Sequence, residues 1–188
     1  AVNNANDAIG LIQTAEGAMT ETHSMLQRMK TLTTQAANGT YTTTARNNIK
    51  AEIDALNKEI TRIATTTEFN GEKPLNPKAK NTNLTFFIGA SAATANAMTV
   101  AQMTMTAKAL TIDQIKVDST TNAFKAMASV DAAIEKVSTY RATLGAAQNR
   151  LEHTVNNLKV TSENITSAES RIRDTDMADE MTRFSKES

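Results

Sequence analysis

The residues that could carry out chemistry are few and widely separated in the sequence. The chain has two histidines, His23 and His153, and neither belongs to the His-Glu-x-x-His spacing that holds a catalytic zinc ion. Cysteine is absent, which excludes cysteine nucleophiles, cysteine metal sites and disulfide bridges. The six glycines form neither a phosphate-binding loop nor a nucleophile elbow. We therefore expect no catalytic, cofactor or metal site, and the sequence predicts a protein that is not an enzyme.

One acidic stretch has part of the spacing of a calcium-binding loop. Asp174, Asp176 and Asp179 resemble its first ligands, which alternate with other residues along the chain. The stretch lacks the glycine that the sharp turn of such a loop needs, and it lacks the bidentate glutamate at the twelfth position. We therefore do not expect a calcium site here.

Composition limits the classes of partner. Lysine and arginine number 20 and so do aspartate and glutamate, which gives a formal net charge of zero. Electrostatics therefore gives no reason to expect a nucleic acid or an anionic membrane as partner. No apolar run approaches the roughly 18 residues of a membrane-spanning helix. Aromatic residues make up only 4%, which favours thin helix seams over a thick core.

The main organising element is a long helix predicted over Met127–Asp176. Alternating steps of three and four residues along it trace one narrow, mostly apolar seam, as in a coiled coil. At ~1.5 Å per residue this helix would be about 75 Å long. Polar residues interrupt the seam at Arg141, Gln148, Ser162, Glu169 and Asp176. They indicate either register control with solvated edges or contact with neighbouring subunits.

Two further helices can cover that seam. A heptad of apolar residues runs from Asn3 to about Ala37, without a capping residue at its start, and a second seam runs from about Thr44 to Thr66. We expect the first helix to be cut part-way along. Asn38-Gly39 predicts a left-handed end for it, and the short loop that follows predicts an antiparallel pair of helices.

The middle of the chain has a different period. Residues 84–88 and 98–105 alternate between apolar and polar side chains, which predicts a β-hairpin lying on the helices. The predicted fold class is mainly α: an elongated rod of three long helices in coiled-coil-like packing plus a β-hairpin. We divide it into an N-terminal helical hairpin (1–76), the β-hairpin and its connection (77–126) and the C-terminal long helix (127–188). The last turns of the long helix should overhang the first helix.

An ordered set of sequence blocks carries a family resemblance. The blocks are NANDAIG (4–10), TAEGA (14–18), LQRMKTL (26–32), QAANGT (35–40), ITRIATTTEFNG (60–71), LGAAQNRLE (144–152), NNL (156–158), ENI (163–165) and AESRIRDTD (168–176). Together they resemble bacterial flagellin, specifically its rod-shaped D1 domain, with a minimal variable centre and without the terminal D0 segments.

The resemblance implies a structural subunit of the extracellular flagellar filament that serves motility and is exported through the flagellum's own channel. The implied partners are other flagellin subunits and the ectodomain of Toll-like receptor 5. Without the terminal segments, the chain itself is expected to be monomeric. The alternative is a hook–filament junction protein, which can share the same helical core.

The resemblance also implies a receptor-binding set, which consists of Gln27, Arg28, Leu32 and Glu52. Arg28 and Leu32 are four residues apart and share one helix face, and the antiparallel pairing puts Leu32 and Glu52 at similar heights. The competing interpretation of Leu32 is packing inside the helix seam. Thr31 stands where the family commonly has an acid.

Overall fold

The computed structural model describes residues 2–78, 83–89 and 97–187. Within them the chain forms three long helices and one two-stranded antiparallel sheet. The elements in chain order are α1 (Val2–Ala36), α2 (Thr43–Thr66), β1 (Asn83–Phe87), β2 (Ala97–Ala101) and α3 (Thr120–Glu187). With 68 residues, α3 is about 100 Å long at ~1.5 Å per residue. The predicted fold class, mainly α with three long helices and a β-hairpin, is confirmed.

The α1 helix is the packing centre of the rod, and it contacts both α2 and α3. Its predicted heptad is buried: Ala5, Ala8, Ile12, Ala15, Met19, Leu26 and Met29. Lys30 pairs with Asp131 at 3.0 Å and Arg141 donates to the Thr20 hydroxyl at 3.4 Å. Because these contacts advance in opposite directions along the two helices, α1 and α3 are antiparallel.

The end of α1 differs from the expected one. Neither Asn38 nor Gly39 has a left-handed backbone, so that prediction is wrong. The Asn38 side-chain oxygen instead accepts the Thr40 N–H at 3.0 Å, and the Arg46 guanidinium donates to the Ala36 carbonyl at 3.2 Å. An arginine from the next helix thus satisfies a carbonyl that the left-handed cap would otherwise satisfy. Among described residues, positive φ angles occur at Asn70, Gly71 and Thr111.

Capping side chains set the starts of α2 and α3. Thr42 has an extended backbone and its hydroxyl accepts the Ala45 N–H at 3.1 Å, so α2 begins at Thr43. The Ser119 hydroxyl accepts the Asn122 N–H at 3.1 Å in the same way. The long helix therefore begins at Thr120, earlier than the predicted Met127.

The sheet is shorter than the alternating pattern suggested. β1 and β2 pair in antiparallel register, from Asn83 opposite Ala101 to Phe87 opposite Ala97. The predicted second strand extended to Met105, but the Met105 N–H donates to the Leu75 carbonyl at 2.8 Å. Beyond β2 both Gln102 and Met105 are buried, so the methionines there reflect packing of an irregular segment and not a continued strand.

The α3 seam is buried only over its first half. Val130, Val137, Leu144 and Leu151 are at most 1% exposed. Beyond residue 158 the side chains that the structure describes are exposed, including the apolar residues Val160, Ile165, Ile172, Met177 and Met181. The predicted overhang is thus confirmed, and the predicted seam positions within it lie on the surface.

Candidate functional site

The candidate site is built on an ion pair that joins α1 to α2. The Arg28 Nε donates to Glu52 Oε1 at 2.7 Å, and its Nη2 donates to Glu52 Oε2 at 3.1 Å. This is the planar, two-bond geometry that arginine forms with carboxylates. The two side chains remain 49% and 43% exposed, so each keeps polar edges that face solvent.

The pair shifts the titration of both groups. Hydrogen bonding from Arg28 lowers the pKa of the Glu52 carboxyl, the charge of Arg28 lowers it further, and partial desolvation opposes both. The same hydrogen bonding raises the pKa of the Arg28 guanidinium. Both groups therefore stay charged at neutral pH, and the surface presents a fixed positive–negative arrangement.

Gln27 lies beside this pair on the exposed side of α1. Its side-chain nitrogen is 3.5 Å from His23 Nε2, one helical turn earlier. The Thr31 hydroxyl donates to the Gln27 carbonyl at 3.3 Å, which directs that side chain onto its own helix. The surface formed by Gln27, Arg28 and Glu52, which we call the 27–28–52 surface, is therefore polar and held by side-chain bonds.

Leu32 does not belong to that surface. It is 2% exposed and part of the hydrophobic core. The neighbouring Thr33 is completely buried, and its hydroxyl donates to the Lys30 carbonyl at 3.0 Å. Of the four residues predicted for the receptor, the structure pairs Arg28 with Glu52, leaves Gln27 exposed next to Arg28 in α1, and places Leu32 in the packing between helices.

The predicted heights are consistent with this arrangement, but the ion pair itself did not follow from them. In an antiparallel hairpin that turns near residue 40, Arg28 and Glu52 lie about equally far from the turn. Opposite charges at matching heights would have indicated the pair. Two other inter-helix contacts lacked such a signal: Lys30 with Asp131, and Arg46 with the Thr120 hydroxyl at 3.0 Å.

Other candidate chemistry can be placed on the fold. Over the described residues, no group of three or more His, Cys, Asp or Glu side chains could hold a metal ion. The backbone at residues 174–179 is helical, which is incompatible with the turn of a calcium loop; the side chains of 174–176 lie outside the described residues. Among the described helices, none is both long and apolar enough to cross a membrane.

Comparison with known proteins places this helical rod in a family. Residues 1–80 match the family described as the bacterial flagellin N-terminal helical region, and residues 127–188 match the bacterial flagellin C-terminal helical region. The unmatched residues between them include the β-hairpin and its connection.

Individual relatives agree with this assignment. The chain is 43% identical to flagellin of Bacillus subtilis, over 99% of this chain and 71% of that protein. It is 40% identical to flagellin of Halalkalibacterium halodurans, over 99% of this chain and 68% of that protein. Among solved structures, Bacillus cereus flagellin superimposes with a TM-score of 0.71 at 32% identity, over 89% of this chain and 95% of that one. The chain therefore belongs to the bacterial flagellin family and is a structural subunit of the flagellar filament, not an enzyme.

Proposed function

We propose that this filament subunit is also a ligand of Toll-like receptor 5, and that the receptor ectodomain contacts it at the 27–28–52 surface. The observation that carries the proposal is the two-bond ion pair between Arg28 and Glu52, which is half exposed and bridges two helices. The family resemblance suggests the receptor, and the geometry of the ion pair supports this surface as the contact.

The ion pair makes this surface suited to recognition. Each charged side chain is already fixed by its partner, so a receptor would lose less conformational entropy on binding than with free side chains. Arginine is enriched at interface hot spots because its planar group combines several hydrogen bonds with stacking. Gln27 adds amide donor and acceptor groups next to it.

Leu32 acts in this proposal by positioning. Because it is buried beneath the surface, it fixes the height and angle at which α1 presents Arg28. Replacing it with alanine would leave a cavity and shift the helix, so a loss of receptor binding in that variant would accompany a loss of stability.

The first test compares two arginines of matched type. Arg28 pairs with Glu52, and Arg62 pairs with Glu59 farther along α2. We expect Arg28→Ala to weaken binding to the receptor ectodomain by about 10-fold to 100-fold, as for a central interface arginine, and Arg62→Ala to change it little. Surface binding or calorimetry measures the dissociation constants, and circular dichroism checks the fold. Equal losses would indicate diffuse electrostatics, and an unchanged affinity in Arg28→Ala would refute the proposed contact.

A second test separates recognition from folding. The double variant Arg28→Glu with Glu52→Arg keeps opposite charges across the two helices but exchanges their places. If the receptor recognises which helix carries each charge, we expect the double variant to retain its thermal stability and still fail to bind. Restored binding would mean that the ion pair matters only for the structure of the hairpin.

We also propose that the α3 overhang is a contact surface between subunits in the assembled filament. Its apolar side chains are more than half exposed, among them Ile165 at 64% and Ile172 at 63%. An apolar stripe on a single helix is stabilised when another helix covers it. Export through the channel of the flagellum would bring such subunits to the growing tip.

Assembly can be tested in the full-length protein that contains this chain. We expect Ile165→Asp combined with Ile172→Asp to abolish filaments seen by electron microscopy, because two charges would enter the covered stripe. Ser167→Asp combined with Ser170→Asp, on the opposite face of the same exposed helix, is the control and should leave filaments intact. Normal filaments from the double variant would contradict the proposal. Long filaments from the unmodified protein also distinguish a filament subunit from the alternative, a hook–filament junction protein.

A further inference from the structure

Two Asn-Gly pairs occur in the chain, and the structure gives them different reactivity. We propose that Asn38 is a site of spontaneous conversion to aspartate and isoaspartate in the folded protein, whereas Asn70 is protected. Both pairs are exposed turns, Asn38-Gly39 after α1 and Asn70-Gly71 after α2. The difference lies in how each asparagine side chain is held against the next peptide nitrogen.

The reaction is an intramolecular substitution at the side-chain amide. The backbone nitrogen of Gly39 attacks Cγ of Asn38 and forms a new C–N bond. The bond from Cγ to Nδ2 breaks, and Nδ2 leaves as ammonia with the proton from the Gly39 nitrogen. Water then opens the cyclic imide at either carbonyl, which gives aspartate or isoaspartate. The only other reactant is water.

The turn at Asn38 is arranged for this attack. The Asn38 Oδ1 accepts hydrogen bonds from the Thr40 N–H at 3.0 Å and the Thr40 hydroxyl at 2.9 Å. These bonds hold the side-chain amide of Asn38 against the residue that follows Gly39. They also stabilise the negative charge that develops on Oδ1 when the nitrogen adds to Cγ.

The attacking and leaving groups are unhindered. Within the part of the chain that the structure describes, neither the Gly39 N–H nor the Asn38 Nδ2 makes a hydrogen bond. Gly39 has no side chain, and no heavy atom lies within 4 Å of the position where its Cβ would be. Over the described residues, both reacting nitrogens can therefore take part without first breaking a hydrogen bond of their own.

The turn at Asn70 resists the same reaction. Asn70 and Gly71 have φ angles of 50° and 81°, the left-handed pair of a tight two-residue turn. Phe69 and Glu72 close that turn with two backbone hydrogen bonds of 2.9 and 3.0 Å. The Phe69 ring also lies against Gly10 of α1, since a Cβ there would be 2.5 Å from it. Rotation of Asn70 toward ring closure would break this anchored turn.

Conversion at Asn38 would change the joint between helices. A carboxylate there is ionised at neutral pH and lies at the C-terminal end of α1, where the helix dipole disfavours an anion. The Arg46 Nη2 donates to the Asn38 carbonyl at 3.3 Å and the Tyr41 N–H donates to it at 3.2 Å. Isoaspartate routes the backbone through the former side chain, so that carbonyl moves away from both donors.

The test labels the reaction with heavy oxygen. The folded chain is incubated at mildly alkaline pH in water enriched in heavy oxygen and is then digested with trypsin in ordinary water. Asn38 is the single asparagine of the tryptic peptide 31–46, and Asn70 lies in peptide 63–78. Fragment ions distinguish Asn70 from Asn76, which cannot cyclise in this way because Pro77 has no N–H.

We expect peptide 31–46 to gain heavy oxygen while peptide 63–78 does not. In denaturant both should gain it, which establishes that the fold protects Asn70. Equal labelling of both peptides in the folded chain, or an unlabelled peptide 31–46, would overturn the proposal.

The matched control variant is Gly39→Ala. Its methyl group meets open space in the fold and its backbone angle is ordinary, so the structure should be unchanged by circular dichroism. The added Cβ hinders the attacking nitrogen, and we expect labelling at Asn38 to slow by about tenfold or more, a barrier increase of ~1.4 kcal/mol for tenfold. An unchanged rate would refute attack by the residue 39 nitrogen.

Discussion

At the scale of single residues, space and hydrogen bonding decide what each position tolerates. Gly10 and Gly17 both lie inside α1, yet Gly10 faces the Phe69 ring and Gly17 faces open space. Arg28 and Glu52 lie on different helices and are fixed by each other. The effect of a substitution on stability or titration therefore depends on the particular side chain that the substituted residue contacts.

The first prediction concerns the two glycines. In Gly10→Ala the new Cβ would lie 2.5 Å from Phe69 Cζ, so the ring must move while its backbone is anchored to Glu72. We expect the free energy of unfolding to fall by about 1–3 kcal/mol, as for overpacking. Gly17→Ala, the control, should raise it by up to about 1 kcal/mol through helix propensity. Urea unfolding measures both, and equal stabilisation would show that Phe69 does not occupy this position.

The second prediction concerns the titration of Glu52. Its pKa is lowered in the folded state, mainly by the Arg28 hydrogen bond. The stabilisation from the pair is therefore present above the ordinary glutamate pKa of about 4.3 and is lost as pH falls through the lowered value. In Arg28→Ala, carboxyl NMR titration should show the Glu52 pKa rising toward the ordinary value. An identical titration in both proteins would mean that the pair does not persist in solution.

At the scale of elements, α3 is one helix with two environments. Its first half is buried against α1, with Leu151 completely inaccessible to solvent. Its second half continues as a helix whose described side chains are exposed. Seam residues at the two ends of α3 therefore contribute differently to the free energy of unfolding. A seam residue stabilises the fold only where another element removes it from water.

The third prediction compares these two halves. Leu151→Asp places an unpaired charge in the helix interface, and we expect it to lower the free energy of unfolding by about 3 kcal/mol or more. Ile165→Asp, on the same helix but 64% exposed, should change it by no more than about 0.5 kcal/mol. Helical circular dichroism during urea unfolding reports both. If the Leu151→Asp variant has the same free energy of unfolding as the unmodified chain, the α1–α3 register is wrong.

At the scale of the whole molecule, the chain is a thin rod whose stability comes from neighbouring helices instead of a deep core. Antiparallel pairing of α1 with α3 removes one continuous line of small and aliphatic side chains from water. The overhang extends beyond this pairing. The molecule thus combines a self-sufficient three-helix section with a helix face suited to further packing.

The fourth prediction is that the chain alone is monomeric at micromolar concentration. The exposed stripe is one helix wide, is interrupted by Ser162 and Glu169, and lies beside charged residues such as Arg173. A face of this kind buries less than the roughly 1,000 Å² of a stable interface. Sedimentation velocity should give one monomer boundary, and salt-resistant polymers would contradict the prediction.

The helices and the pairing of the first two follow from the amino-acid pattern, and the family follows from the ordered sequence blocks. Apolar residues at steps of three and four define a helix face whatever surrounds it, so the seams at Ile12–Met19 and Ile53–Ile60 were predictable. The short loop near Asn38 made the first two helices antiparallel. The family resemblance provided Gln27, Arg28, Leu32 and Glu52 as site residues. The predicted hairpin placed Leu32 and Glu52 at similar heights, with Arg28 one turn from Leu32.

Which of these side chains reach solvent depends on how the helices pack against one another. Leu32 shares a face with Arg28 by spacing, but α1 is covered on two sides, so a rotation of a few tens of degrees separates surface from core. Tyr140 lay off the predicted seam and is 1% exposed. The irregular segment around Pro74 lies over it, and the Pro74 carbonyl accepts a hydrogen bond from its hydroxyl at 3.4 Å. Ile165 follows the seam and remains exposed because no described element lies opposite it. Periodicity specifies on which face of a helix a residue lies. Whether that residue is buried depends on whether another part of the chain covers that face.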